Sequence, residues 1–289
     1  MNLLVRINLV LTAAFALAAF AVGATCWTML QENAKQETLR EAGLMMDSAL
    51  SMRAYTAAEI VPLLNTQMEK EFLPQSVPSY AATKNFLHLH EKHPEYAYKE
   101  ATLNPTNLQD RAMDWESDLI QQFRNDEHHT EIVGERDTPT GTSLYLARPI
   151  HAEAKCLVCH SVPQAAPATL IQRYGSNNGF GWQVHEVIGA QVVSVPLATA
   201  TANATRIFRG VMGSIAAILI ATLLIVNVIL YYLVVRPVRR IATIADQVSL
   251  GDMASGEFPE HGSSELTNLG RAFNRMRTSL DKALTMLEK

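Results

Sequence analysis

The sequence predicts an α+β domain held between two membrane-spanning helices and followed by a helical bundle. Three observations lead there. Two segments, Ile7 to Leu30 and Gly210 to Val235, carry no charged residue, and each as a helix would cover about 36–39 Å, enough to cross a bilayer. Between them, short runs bounded by turn residues read as strands with helices around them. After the second segment, apolar residues recur at three-four spacing.

The first apolar segment is read as an uncleaved anchor. As a signal peptide it would be long, and its positive leader is only the amino terminus and Arg6. Gly23-Ala24-Thr25-Cys26 faintly suggests a lipoprotein cleavage site, but Thr25 fits poorly before the cysteine. Arg6 precedes the first segment, and Arg236, Arg239 and Arg240 follow the second. Arg206 and Arg209 on the other side weaken the contrast, but the arginine cluster still puts both termini in the cytoplasm. Residues 31–209 then lie on the periplasmic side of a bacterial inner membrane. The expected division is 1–30, a helix with a short cytoplasmic amino terminus; 31–209, the extracytoplasmic domain; 210–235, the second helix; and 236–289, a cytoplasmic bundle. Net charge is −4 from 24 basic and 28 acidic residues, with no basic cluster pointing to nucleic acid; membrane lipid is the expected surrounding.

Gln31 to Leu64 is polar and helical, with Leu44, Met45, Ala49, Met52 and Ile60 at helical spacing, and Pro62 is expected to end or kink it. Pro74 and Pro78 mark a loop before a shorter helix, Tyr80 to Lys92. Strands are expected at Tyr96–Thr102, Thr130–Val133, Ser143–Ala147 and Val187–Val195, with Asp137 to Gly141 as a hairpin turn. Asp114 to Arg124 reads as a helix with Trp115, Leu119, Ile120 and Phe123 on one face. A few antiparallel strands with helices on one side make an α+β, PAS-like sensor fold with a long N-terminal helix. Ala168–Tyr174 is helix-prone, Gly175–Gly181 is a loop, and residues 197–209 lead helically into the second span.

Just after the third strand stands Cys156-Leu157-Val158-Cys159-His160. C-x-x-C-H is the attachment signature of c-type haem: two thiols can form thioethers to the vinyl groups, and the histidine is placed to hold the iron. A redox disulfide or half of a zinc site competes. Cys26 is the only other cysteine, which excludes an all-cysteine zinc site. The periplasm is where bacteria attach haem c, so topology and motif agree. One covalent haem c is expected, with Cys156 and Cys159 as anchors and His160 as proximal ligand. Arg53 and Arg148 could pair with its propionates. Of the other histidines, His151 and His185 lie nearest the motif in sequence, whereas His88, His90, His93, His128 and His129 sit in polar surroundings. Trp115 and Trp182 read as core or pocket wall. No nucleophile–base pair or paired carboxylates point to catalysis, so no enzyme activity is expected.

Beyond the second span, Val238, Ile241, Ala245 and Val248 keep three-four spacing. After a connector with Gly251, Met253 and Phe258, Leu266, Leu269, Phe273, Met276, Leu280, Ala283 and Leu287 continue it. That seam calls for a dimeric four-helix bundle. Residues 236–289 resemble a HAMP linker in Pro237, Gly251, Glu265 and Ala272-Phe273-Asn274-Arg275-Met276, departing at Ser264 and Thr267. Residues ~40–200 resemble a PAS-like, haem-c-binding family typified by a cyanobacterial cytochrome. The matching stretches are Arg53-Ala54-Tyr55-Thr56, Leu103 to Asn107, Asp114-Trp115-Glu116, Ala147-Arg148-Pro149, Cys156 to Ser161 and Gly179-Phe180-Gly181-Trp182. The resemblance adds Tyr55 to the cofactor-contacting residues. It also implies a sixth ligand on the N-terminal helix, a cysteine in the cyanobacterial relative. No cysteine stands between 27 and 155 here, so Met45, Met46 or Met52 is the expected replacement.

Two functions follow as expectations. One is a membrane-anchored haem c redox or gas sensor, homodimeric through the linker and relaying a signal to a separate cytoplasmic partner. The other is a monohaem cytochrome subunit passing electrons among redox subunits of a respiratory or photosynthetic complex. The sequence stops two residues after Leu287 with no kinase, cyclase or methyl-accepting module, so either a separate partner is expected to read the signal or the protein is a haem subunit, and the missing module favours the second.

Overall fold

The computed structural model describes residues 3–126, 128–139, 141–252, 256–258 and 264–287. Met253 and Thr140, the latter in the expected hairpin turn, lie outside the described residues, as does the side chain of Leu287. The chain divides into two compact units: residues 27–207, and residues 1–26 with 208–289. Helices α1 (Leu3–Tyr55) and α7 (Leu197–Leu230) each contain a stretch long and apolar enough to cross a membrane.

The unit of residues 27–207 is built on a four-stranded antiparallel sheet of order β1-β4-β3-β2, made of β1 (Ala97–Thr102), β2 (Ile132–Thr138), β3 (Gly141–His151) and β4 (Val187–Pro196). Strand alternation sends residues to two cores. Tyr98, Leu144, Leu146, Val193 and Val195 face α1 and α3 (Pro78–Lys92), meeting Ala42, Met46, Ala49, Ala82 and Phe86. Ala147, Ala190 and Val192 face α4 (Asp114–Asn125), meeting Leu119, Ile120 and Phe123. β4 is central and buried on both sides. Full burial of a side chain such as Phe123 or Leu146 stabilises by about 2–3 kcal/mol. On α1 the inward positions are Ala34, Thr38, Ala42, Met46 and Ala49, at intervals of four, four, four and three along one face; all but Met46 are small, so the helix can lie close over the sheet.

The α+β class, the helix over 114–124 and four strands are as the sequence predicts, with two differences. The hairpin strands extend farther, pairing Thr138 with Gly141. Pro62 does not end the helix: a wider π turn, Thr56–Ile60, precedes α2 (Val61–Met68), in which Pro62 is the second residue. A proline removes an N–H and crowds the carbonyl four residues back, and a π turn absorbs both defects. The same solution recurs at Tyr231–Val235, before Pro237 in α8 (Arg236–Ser249).

In the other unit, α8 and α9 (Ser264–Leu287) pack around Ile241, Ile244, Val248 and Phe258, with Leu266 and Phe273 beside them. Ile244, which the spacing did not mark, joins this core, and Val238, which it did, is exposed in the single chain. Gly251 holds φ at +89°, a conformation glycine adopts without strain. The Asn274 amide grips the connector, accepting from Phe258 N–H at 3.0 Å and donating to its carbonyl at 3.1 Å.

Candidate functional site: the Cys156–His160 loop

The connection between β3 and β4 carries the C-x-x-C-H run. A register shift at Ile150/His151 ends the β3 ladder. The loop is then pinched at its base: Ala152 N–H donates to the Glu186 carbonyl at 2.9 Å and His185 N–H to the Ala152 carbonyl at 2.8 Å. His185 takes φ +69° to close that clip, and the His151 ring reaches its carbonyl at 3.3 Å. Arg124 at the end of α4 donates to the Val187 carbonyl and to Glu186, at 2.8 and 3.0 Å. His151 and His185 are therefore part of the fastening of the loop.

Within the loop, a 3-10 turn (Ala154–Cys156) and the single helical turn α5 (Leu157–His160) bring the two cysteines to adjacent, half-buried positions, both thiols free. Burial, and then the neighbouring Cys156, push the Cys159 thiol up. That is opposite to the lowered value of a thiol–disulfide catalyst. Among the described residues no group of three or more His, Cys, Asp or Glu gathers to hold a metal ion, so the zinc alternative lacks its remaining ligands there.

After α6 (Ala168–Tyr174), the glycine loop folds back over the motif. Gly181 N–H donates to the Ser161 carbonyl at 2.7 Å, and Trp182 N–H to the His160 carbonyl at 3.2 Å. His160 Nδ1 lies 2.7 Å from the Gly179 carbonyl oxygen. A carbonyl only accepts, so Nδ1 carries the proton and Nε2 keeps a lone pair for a metal. Burial pushes the His160 pKa down, which keeps the ring neutral. The Trp182 indole stacks on the imidazole, centroids 3.9 Å apart and planes 13° from parallel. Trp182 is thus a wall of the site. Asn104 Oδ1 accepts from Gly179 N–H at 3.2 Å, and Thr106 Oγ1 lies 3.4 Å from His160 Nδ1. Sequence reasoning gave neither residue a task; their place in the Leu103–Asn107 motif was the available signal.

The remaining expected residues fall as follows. Arg53 is ion-paired with buried Glu100, which also accepts from the Tyr98 hydroxyl at 2.8 Å. Burial lowers the Arg53 pKa, but attraction to Glu100, and more weakly to Tyr98 and Cys156, outweighs it and leaves the pKa raised. The coupling to Cys156 puts the end of α1 in the electrostatic neighbourhood of the motif. Arg148 is held by Glu131 at 2.9 Å and Asp47 at 3.1 Å. Tyr55 is exposed. Met46 is enclosed in the core, while Met45 and Met52 lie at its edge, partly buried.

A family model described as Tll0287-like matches residues 31–196, more than half of the chain, and a HAMP domain model matches residues 229–282. Among solved structures, the crystal structure of the cyanobacterial heme-protein Tll0287 is similar at 18% identity, over 55% of this chain and 95% of that one, with a TM-score of 0.44. No curated protein matches.

Proposed function

The chain belongs to the Tll0287-like family, and from that premise we propose that it is a membrane-anchored haem c redox or gas sensor that relays its state through the HAMP region to a partner. The observation that carries the reading is His160, held through Nδ1–H by the Gly179 carbonyl with Nε2 free, directly after two unpaired thiols. These residues fit the group. Cys156 and Cys159 are the thioether anchors of one haem, His160 the proximal ligand, and Trp182 shields the back of the imidazole. When bound, the haem supplies an iron whose oxidation state or ligand changes with the stimulus.

Met52 would be the sixth ligand in this reading: it precedes Arg53, which is electrostatically coupled to Cys156, whereas Met46 is committed to the core and Met45 lies two turns earlier. Arg53, Tyr55 and Arg148 would be the residues offered to the propionates, the two arginines being paired here with Glu100 and with Glu131 and Asp47.

The division is residues 1–30, 31–209, 210–235 and 236–289, with the haem domain in the periplasm and both termini in the cytoplasm of a bacterial inner membrane. Leu269, Met276 and Leu280 on α9 are exposed in the single chain. They form the seam of a homodimeric bundle, whose two packings differ by little energy.

The test is the absorption spectrum of chain made in a strain that matures c-type cytochromes, oxidised and reduced, with and without CO or NO. The expected result is pigment that stays with the denatured chain and is lost in Cys156→Ala/Cys159→Ala. Chain without covalent pigment overturns the reading. Met52→Leu is expected to open the sixth position to CO. Deleting residues 236–289 separates sensor from electron carrier: signalling vanishes in the first case, and electron transfer persists in the second.

A further inference from the structure

We infer that Asn104, supported by Thr106, is a positioning residue that sets the donor strength of His160 by fixing the peptide group that receives its Nδ1 proton. The inference deepens the haem reading and rests on it. Three contacts carry it. Gly179 donates its N–H to Asn104 Oδ1 at 3.2 Å while its carbonyl receives His160 Nδ1–H at 2.7 Å. Gly179 is at φ +81°, and a Cβ there would come within 2.0 Å of Thr106 Oγ1 and 2.9 Å of the Thr106 backbone N. Thr106 Oγ1 also stands 3.4 Å from His160 Nδ1. Residue 179 is therefore held from both sides, by a side-chain acceptor on its N–H and by a backbone approach that admits only hydrogen.

The consequence is electronic. A ligating imidazole that gives its second N–H to a well-held acceptor is more basic, and such outer partners orient and tune the ligand. A more basic ligand favours ferric over ferrous iron. The Gly179 carbonyl sits in a glycine loop with positive φ at Gly175, Gly179 and Gly181, a conformation that glycine adopts without strain. Without the Asn104 anchor that carbonyl would wander from the 2.7 Å contact. Asn104 touches neither the cysteines nor the imidazole among the described contacts, so its effect passes through the Gly179 peptide group.

The test uses the full chain in detergent, loaded with haem, and a spectroelectrochemical titration of Asn104→Ala and Asn104→Asp. Asp keeps the acceptor for Gly179 N–H and adds negative charge. The expected result is opposite shifts: the potential of N104A rises by about 59 mV, a tenfold change in the one-electron equilibrium, while that of N104D stays level or falls. An unchanged N104A potential, or shifts of the same sign in both variants, overturns the inference, because a merely structural role would move both alike. If N104A takes up no haem, N104D alone decides, and a potential above the parent's overturns.

A second measurement works without haem. Nitrogen-15 NMR of histidine-labelled, unloaded full chain reads the His160 tautomer, with His160→Gln assigning the signal. The parent and N104D are expected in the Nδ1–H form and N104A as a mixture. One tautomer in all three overturns the inference. Chain that never acquires covalent haem but shows this tautomer pattern would sink the haem reading and leave the positioning role standing.

Discussion

Asp110 is the side chain in the sheet domain whose titration should be visible in stability. Burial, and then repulsion from Glu100, raise its carboxyl to about 6 from an ordinary value near 3.8, against smaller opposing effects of Asn107 and Lys99. The folded state therefore binds this proton more tightly than the unfolded chain does. The favourable contribution is complete below about pH 4 and is lost as the pH rises through about 6. Partial exposure screens the effect, leaving about 1 kcal/mol. Asp110→Asn is expected to raise stability near pH 7 by that amount and to flatten the melting temperature between pH 4 and 7; a parallel pH profile in the variant would contradict it. Arg53 makes the converse case. Glu100 is buried, and Arg53 is its ion-pair partner. Arg53→Ala leaves a buried carboxylate with only the Tyr98 hydroxyl, a loss of about 3 kcal/mol. Adding Glu100→Gln should recover much of it, as thermal or urea unfolding of the double variant would show.

Among the elements, the β2–β3 hairpin shows where a glycine is required by a neighbour. A Cβ at Gly134 would lie 2.3 Å from the Tyr145 hydroxyl, and Tyr145 packs against Trp115, ring centroids 5.5 Å apart. Gly134→Ala must push the phenol off its place, and a loss of about 1–3 kcal/mol is expected. Tyr145→Val removes the obstacle, so the double variant should cost less than the two single losses combined. Strictly additive losses in unfolding would rule this out. The same hairpin explains what the sequence hid. Glu135, Arg136 and Asp137 lie on an edge strand without apolar alternation, so nothing local announced that β2 reaches Thr138. Pro62 reads locally as a stop, because the π turn that carries the chain past it leaves no compositional mark. At the site, C-x-x-C-H was legible because its chemistry is written in five consecutive residues. The grip of Asn104 and Thr106 on Gly179 and His160 was not, because those contacts join loops 54 to 75 residues apart. Trp182 was legible as a wall, but its stacking on His160 comes from the fold-back of the glycine loop.

At the scale of the molecule, the sensor proposed above would have to pass a change along the two apolar helices, and a pair of amides ties them at one height. In the unit of residues 1–26 and 208–289, Asn8 of α1 and Asn227 of α7 exchange two amide hydrogen bonds, each 2.7 Å. Each amide also donates to the carbonyl four residues earlier, Leu4 at 3.0 Å and Leu223 at 2.8 Å. Both residues belong to the charge-free segments, Asn227 well inside the second and Asn8 at the start of the first, two residues after Arg6. Asn8→Leu or Asn227→Leu strands the opposite amide, whereas the double leucine variant strands none. Each single variant is expected to weaken helix association by about 1 kcal/mol, with a coupling of roughly 0.6–1.7 kcal/mol in a double-mutant cycle of unfolding in micelles. Independent losses would mean that the amides do not pair in the lipid-like phase. The pair also limits the signal. Sliding α7 by one helical turn, about 5.4 Å, would separate amides that meet at 2.7 Å. A vertical stroke must therefore break the pair, whereas a rotation or tilt pivoting near it need not. If output responds to a vertical stroke, Asn227→Leu should make it easier to trigger; if output follows a pivot, the variant should weaken the response.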